Sequence, residues 1–402
     1  MKKLSLAVIG LYVGLLSAFS QTPAVDSSTY KPRKLTFEEA NIVSSYYRQD
    51  GNNSAVTGGI GTEKLNDFSN LLEIKLKKYD RHNRKHILGV EVGIDHYTSA
   101  SSDKIDPSTI SSASYSDNRL YPSINWTRED EQKGSTIGAG ISASAEFDYI
   151  SVGANVNFAQ KTSNKSGEFS IKLQAFADQV KLIQPVELRT NQGQGNRHEN
   201  DDYGSAARNT FNTALSYSQI INQRLQVAFL LDLIYQKGYL GLPFHRIYFA
   251  NNTESVESLP ATRFKVPIGF RANYFAGDKV IIRTYYRYYQ DDWGLKAHTI
   301  NIETPVKITP FVSISPFYRY YTQQGVDYFA PYKMHKTTEQ FYTSNYDLST
   351  FTSQFYGAGI RLAPPGKVFG INHLSSLELR YGHYTKNIGM QSDIISMHLG
   401  FK

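Results

Sequence analysis

The sequence predicts an antiparallel up-and-down β-barrel of about sixteen strands that spans a membrane. Three observations predict it. Apolar and polar residues alternate with a period of two along nearly the whole chain, aromatic residues are abundant although the mean hydropathy is low, and short connections alternate with long ones. Beyond the N-terminal region, no apolar segment approaches the roughly 18 residues that a transmembrane helix needs.

The composition favours a membrane barrel over a soluble protein. The chain has 29 Tyr and 22 Phe, yet its mean hydropathy is −0.41. In a barrel only every second residue faces lipid, the lumen is polar, and aromatic residues line both membrane interfaces. The alternative, a soluble β-sandwich, needs an apolar interior, whereas the polar faces here are rich in Tyr and Arg. The chain has no Cys, which excludes disulfides and thiol-bound metals.

The alternation defines strands of about ten residues or more, the length that a tilted strand needs to cross a bilayer. In the ninth strand, the apolar face carries Leu225, Val227, Phe229, Leu231, Leu233 and Tyr235, opposite Gln226, Asp232 and Gln236. The sixteen predicted strands are 38–49, 67–79, 86–98, 119–129, 135–147, 149–161, 167–181, 207–220, 224–237, 262–275, 279–290, 295–308, 311–322, 350–362, 373–386 and 390–402.

The connections fall into two classes. The short turns are 80–85, 130–134, 162–166, 222–223, 276–278, 309–310 and 363–367. The long loops are 51–66, 100–118, 182–206, 238–261 and 323–349. An even number of strands places both termini on the side of the short turns. Short periplasmic turns and long extracellular loops are typical of a Gram-negative outer-membrane barrel, so we expect the protein in the cell outer membrane.

The N-terminal region predicts export. Residues 1–20 contain two lysines, then an apolar run, then small residues before the expected cleavage site. This order predicts a signal peptide. Residues 21–37 are then a periplasmic N-terminal segment, and residues 38–402 form the barrel. The expected partners are outer-membrane lipid, lipopolysaccharide and the outer-membrane assembly machinery. That machinery recognises a C-terminal aromatic residue, and here Phe401 lies one residue before the end, followed by Lys402. No nucleic-acid partner is expected, because the positive charges are spread singly along the strands and form no cluster.

Six segments resemble a family of outer-membrane proteins from Bacteroidetes and some Proteobacteria that is known as a domain of unknown function (DUF3570). They are SAVTGGIGTE (54–63), YTSASSDKIDP (97–107), LPFHRIYF (242–249), RTYYRYYQDDWGLKAH (283–298), PFYRYYTQ (316–323) and YFAPY (328–332). The resemblance extends over most of the chain. It implies a barrel in the outer membrane, and it implies no particular activity.

The inward faces of the predicted strands carry charged residues, which offer two interpretations. Arg271, Arg283, Arg287 and Arg319 lie on strands that are close in sequence and form one basic wall of the lumen. Glu303 lies between them and is expected to pair with Arg287 or Arg319. Such charges either brace a closed barrel through ion pairs or line a pore that favours anions. Both interpretations stay open from the sequence.

Three weaker candidates for chemistry lie in the loops. Asp103, Asp106 and Asp117 are possible Ca²⁺ ligands, although they lack the EF-hand spacing, and no other cofactor is predicted. His245, His298 and the Asp291-Asp292 pair are the nearest candidates for a hydrolase site, but no catalytic motif is present. The aromatic loop 323–349 either offers a platform for a ligand or folds inward to narrow the lumen.

The sequence therefore leaves three functions open. The first is a porin-like channel for small polar or anionic solutes. The second is a closed structural or partner-binding component that acts through its extracellular loops, and the third is an outer-membrane hydrolase. Neither the solute nor the oligomeric state follows from the residues.

Overall fold

The chain folds into a closed antiparallel barrel of sixteen strands. A computed structural model describes residues 33–98, 116–183, 185, 188 and 204–402. The strands are β1 (Thr36–Asp50), β2 (Leu65–Tyr79), β3 (Lys85–Thr98), β4 (Ser116–Asp130), β5 (Ser135–Ala145), β6 (Tyr149–Lys161), β7 (Gly167–Lys181), β8 (Ser205–Asn222), β9 (Leu225–Gly238), β10 (Arg246–Tyr248), β11 (Glu254–Val256), β12 (Thr262–Ala276), β13 (Val280–Asp291), β14 (Lys296–Glu303), β15 (Val306–Thr309), β16 (Val312–Gln324), β17 (Phe351–Leu362), β18 (Leu374–Lys386) and β19 (Met390–Phe401). The predicted signal peptide lies outside the described residues.

Each strand of the barrel pairs with its neighbours in sequence, and β1 closes the ring by pairing with both β2 and β19. Strands β10 and β11 form a separate hairpin in the loop between β9 and β12. Strands β14 and β15 together form one strand of the barrel, because both pair with β13 on one side and β16 on the other. The predicted strands are confirmed, with one difference. The twelfth is interrupted at Thr304-Pro305, where proline has no N–H to donate to the sheet.

The pairing register assigns the two faces of the sheet. Glu303 on β14 forms an ion pair with Arg380 on β18, and β16 and β17 lie between these strands. Side chains can meet over two intervening strands only on the concave face, so both point into the lumen. The opposite face exposes large apolar side chains such as Phe229, Ile268 and Ile300. So large an apolar surface requires a covering, and lipid provides it in a membrane barrel.

The two ends of the barrel differ as the sequence predicts. The termini and most of the short turns lie at one end. The long connections lie at the other end, together with the short turns 146–148, 292–295 and 387–389. This asymmetry, together with the apolar outer face, makes the chain an outer-membrane β-barrel.

No helix among the described residues has the length and apolar character needed to cross a membrane.

Three of the long connections pack together at the outer end, and we call residues 51–64, 239–261 and 325–350 the outer cap. The first connection contacts the second through the Arg246 guanidinium, which donates to the Val56 carbonyl at 3.0 Å. The second contacts the third through a buried hydrogen bond from the Thr343 hydroxyl to Glu257. Thr343 has no exposed surface, so the cap has a packed interior of its own.

Candidate functional site

The four arginines that the sequence singles out line one cavity in the lumen. Arg271 on β12 faces Tyr285 on β13, Tyr285 faces Asn301 on β14, and Asn301 faces Arg319 on β16. Arg283 and Arg287 lie two residues on either side of Tyr285 and therefore point the same way. The cavity has a volume of about 570 Å³. The predicted basic wall, Arg271, Arg283, Arg287 and Arg319, is thus brought together.

The partners of Glu303 differ from the expectation. Its Oε1 lies 3.8 Å from Arg283 Nη1 and 3.2 Å from Arg380 Nη1. The prediction that it pairs with Arg287 or Arg319 is wrong. The cause is the register, because Glu303 lies directly opposite Arg283, whereas Arg319 lies opposite Asn301.

Most of the positive charge on the basic wall stays unneutralised. Arg319 lies over the Phe355 ring at 5.5 Å, and Arg271 lies over the Tyr285 ring at 5.8 Å. Within the described residues neither forms an ion pair, and the Nε of Arg287 is buried without a hydrogen-bond partner. The Arg283 side chain is 50% exposed. Arg271, Arg283 and Arg319 are exposed, so their guanidinium groups face water in the lumen.

The opposite side of the ring fits the bracing interpretation better. Strands β3 and β13 are eight strands apart in the ring of sixteen. On β2, Lys75 bridges Glu39 at 2.8 Å and Glu73 at 3.2 Å. Asp95 on β3 accepts hydrogen bonds from the hydroxyls of Ser69 and Tyr121. The carboxylates here are mostly held by local partners, so the lumen is charged unevenly around its circumference.

The aromatic loop folds inward, as one of its two interpretations predicts. Near the outer end, the lumen-facing residues Ala297, Gln323 and Ser353 are buried at 2%, 5% and 4% exposure. The Gln323 amide donates to the backbone carbonyls of Asp347 and Ser349 in the loop. The third connection of the outer cap therefore covers the lumen over β14, β16 and β17.

The outer cap also contains an acid that titrates near neutral pH. Burial, with the nearby Asp347 carboxylate as a second cause, raises the pKa of Glu63 to about 7. An acid with a raised pKa in the folded state favours folding when it is protonated. The contribution of protonated Glu63 to the stability of the fold is therefore complete below the ordinary pKa of about 4.5. That stability is lost as the pH rises through about 7.

We expect the outer cap to be better protected at pH 6 than at pH 8. Hydrogen exchange, corrected for the intrinsic effect of pH, measures this protection. Glu63→Gln should remove most of the pH dependence, because the amide cannot ionise. The matched control is Glu254→Gln, which changes an exposed acid of the same cap and should leave the pH dependence intact. Protection that increases with pH would contradict the assignment.

The predicted Ca²⁺ ligands are only partly described. Asp103 and Asp106 lie outside the described residues. Asp117 lies at the outer end of β4, where its carboxylate and those of Glu146 and Asp148 lie within 4.8 Å of one another. The Tyr97 hydroxyl donates to Glu146 at 2.6 Å. A role for Asp117 in binding Ca²⁺ stays a prediction.

The hydrolase candidates lie in different environments. His245 is buried in the outer cap, 3.5 Å from Glu257. His298 lies on the outward face of β14 and contacts the Tyr286 hydroxyl at 2.8 Å. Asp291 points inward, where the Arg263 Nε donates to it at 2.9 Å. His298 and Asp291 therefore lie on opposite faces of the sheet.

The sequence reasoning did not bring together a second group of polar residues. Arg119, Asp178 and Arg208 line another cavity near the outer end of β4–β9. The period-two pattern places each of them on the inward face. However, their proximity depends on the register between β7 and β8 and on the position of β4, which the pattern does not determine.

The comparisons with known proteins give a family and a set of similar folds. The model of a family described as "Protein of unknown function (DUF3570)" matches residues 91–390. No curated protein matches the chain.

Similar solved structures include a BenF-like porin from Pseudomonas fluorescens Pf-5, which is 9% identical in sequence with a TM-score of 0.42. The matched region covers 92% of this chain and 100% of the porin. Pseudomonas aeruginosa OpdK, solved with vanillate, is 7% identical with a TM-score of 0.41, at coverages of 92% and 99%. A loop L8 deletion mutant of Vibrio cholerae OmpT is 8% identical with a TM-score of 0.47, at 91% and 99%. At such identities and TM-scores the similarity extends to no ligand and no activity.

Proposed function

The chain belongs to the DUF3570 family of proteins of unknown function, and we propose its function from the lumen itself. We infer that this outer-membrane barrel is a diffusion channel that favours small anionic solutes. The observation that supports this inference most strongly is the basic wall, whose guanidinium groups face a water-accessible cavity and are mostly without ion-pair partners.

The physical argument depends on where the charges lie. Guanidinium groups that only braced a barrel would be paired with carboxylates, because unpaired buried charge is costly. Here Arg271 and Arg319 contact aromatic rings instead. A lumen bounded by a low-dielectric wall concentrates the field of such charges and raises the local concentration of anions. Rings or rows of basic side chains select anions in other pores in the same way.

The acids of β2 and β3 limit this preference. Glu73 is partly neutralised by Lys75, but Glu91 forms no ion pair in the part of the chain that the structure describes. Cations therefore have a favourable path on that side of the lumen. We expect a bias toward anions, not the exclusion of cations.

The test is the double substitution Arg283→Gln/Arg287→Gln in a planar bilayer with a salt gradient. The reversal potential should shift toward the cation side. The shift should be larger at 0.1 M than at 1 M salt, because the Debye length falls from about 10 Å to about 3 Å. The control is Arg48→Gln/Arg128→Gln, which removes two arginines from the outward face. An equal shift in the control, or none in the lumen variant, would contradict the proposal.

A second candidate function rests on the outer cap. Its buried polar interior, with Thr343 and His335 at 0% and 1% exposure, fixes the shape of three outer loops. A fixed outer surface suits a closed component that binds a partner. In that case neither the wild-type protein nor the lumen variant would conduct steadily, and the arginine substitutions would only lower stability.

A further inference from the structure

A second cavity, of about 360 Å³, opens from the lumen wall near the outer end of β4–β9. It is separate from the basic wall, which lies on β12, β13 and β16. Its volume falls in the range of small-molecule pockets, roughly 300–1,000 Å³. The rings of Tyr121, Tyr149 and Phe176 form part of its lining.

The cavity contains a carboxylate with one unpartnered oxygen. Asp178 is 6% exposed, and its Oδ1 is buried without a hydrogen bond. The Tyr149 hydroxyl hydrogen-bonds to this side chain. Buried polar atoms in native proteins are nearly always hydrogen-bonded, so the unpartnered oxygen indicates a place for a donor that the described residues do not supply.

The arginine best placed to pair with Asp178 is engaged elsewhere. Arg208 lies directly opposite Asp178 in the register of β7 and β8, yet the two form no ion pair. The Arg208 Nε donates to the Tyr239 carbonyl at 2.8 Å, and its Nη2 donates to the Gly241 carbonyl at 3.3 Å. These contacts with the outer cap hold the guanidinium in place, and among the described residues Nη1 has no acceptor.

A second guanidinium lines the same cavity. The Arg119 Nε contacts Ser144 at 3.0 Å and Glu146 at 3.4 Å. In the part of the chain that the structure describes, neither Nη group donates a hydrogen bond, so both can serve another acceptor. The guanidinium also lies over the Tyr121 ring at 5.0 Å. The cavity thus offers N–H donors from Arg119 and Arg208 and an acceptor from Asp178.

We propose that this cavity is a recognition site for small zwitterionic solutes of the α-amino acid type. The carboxylate of such a solute would accept hydrogen bonds from Arg119 and Arg208, and its ammonium group would donate to Asp178. A simple anion would leave Asp178 unpartnered, and a simple cation would leave the two guanidiniums unpartnered. The proposal goes beyond conduction, because such a site at the outer end of the lumen can be occupied whether or not the barrel conducts.

Saturation-transfer NMR on the full-length barrel in detergent tests the proposal with three probes. These are alanine, its N,N,N-trimethyl derivative, which has no N–H donor, and propionate, which has no ammonium group. Alanine should bind about tenfold more tightly than either analogue. Equal binding of propionate would show a plain anion site, and equal binding of the trimethyl derivative would show that Asp178 makes no contact. Either result, or the absence of alanine binding, overturns the proposal.

Substitutions then locate the site. Asp178→Asn should weaken alanine binding about tenfold, whereas the control Asp232→Asn, which changes an inward acid outside the cavity, should leave it unchanged. Heat-modifiable gel mobility confirms that each variant is folded. Arg283→Gln/Arg287→Gln should retain alanine binding even though it alters ion selectivity, so the two proposals can fail separately. Unchanged binding in Asp178→Asn would overturn this assignment.

Discussion

Leu231→Arg is expected to destabilise the assembled barrel by about 2–4 kcal/mol, the cost of a charged side chain on the lipid face near the bilayer midplane. Leu231 lies in the middle of β9, opposite Leu215 on β8 and Ile268 on β12. Ile268 is 48% exposed on the outward face. An arginine at position 231 would therefore enter lipid among apolar neighbours.

The contrast with an inward position makes this prediction specific. Gln226→Arg changes a lumen-facing residue of the same strand and should be tolerated far better. Leu231→Met, which conserves volume and polarity, should behave like the wild type. The measurements are the heat-modifiable fraction recovered from the outer membrane and the unfolding free energy in urea. Equal tolerance of the two arginines would mean that the assignment of faces is wrong.

Replacing residues 326–348 with a short glycine-containing turn is expected to raise single-channel conductance about twofold or more, since pore width governs conduction. This segment covers the outer lumen, where Ala297 and Phe351 are buried beneath it. The barrel itself should survive the change, because the ladder between β16 and β17 continues to Gln323 and Phe351 without the loop.

The control for the shortened loop is Met334→Gln, which alters its most exposed apolar residue, at 64% exposure, and should leave the conductance unchanged. Heat-modifiable mobility of the shortened variant should match that of the wild type. If a folded, shortened variant conducts no better than the wild type, the loop does not cover the conducting path.

The strands and their faces could be predicted because both depend on local pattern. In β13, alternation alone places Arg283 and Arg287 on one face and Tyr286 on the other, as the structure confirms. The hairpin of β10 and β11 could not be predicted in this way. Each of its strands has three residues, too few to show a period of two.

The contacts within the site depend on information that the pattern lacks. The face of Glu303 follows from alternation, but its partners follow from the register of β14 against β13 and from the curvature that brings β18 near. The same holds for the position of Asp178 opposite Arg208. In the outer cap, Arg246 and Val56 are 190 residues apart, so their contact reflects the closure of the whole ring.

Single-channel recording of the purified wild-type protein in a planar bilayer tests the central claim most directly. The protein should produce steady, stepwise openings, with a reversal potential on the anion side in a salt gradient. That bias should shrink as the salt concentration rises and screens the basic wall. Bilayers that contain verified folded barrels but show no steady openings would contradict the channel and leave a closed barrel that acts through its outer cap.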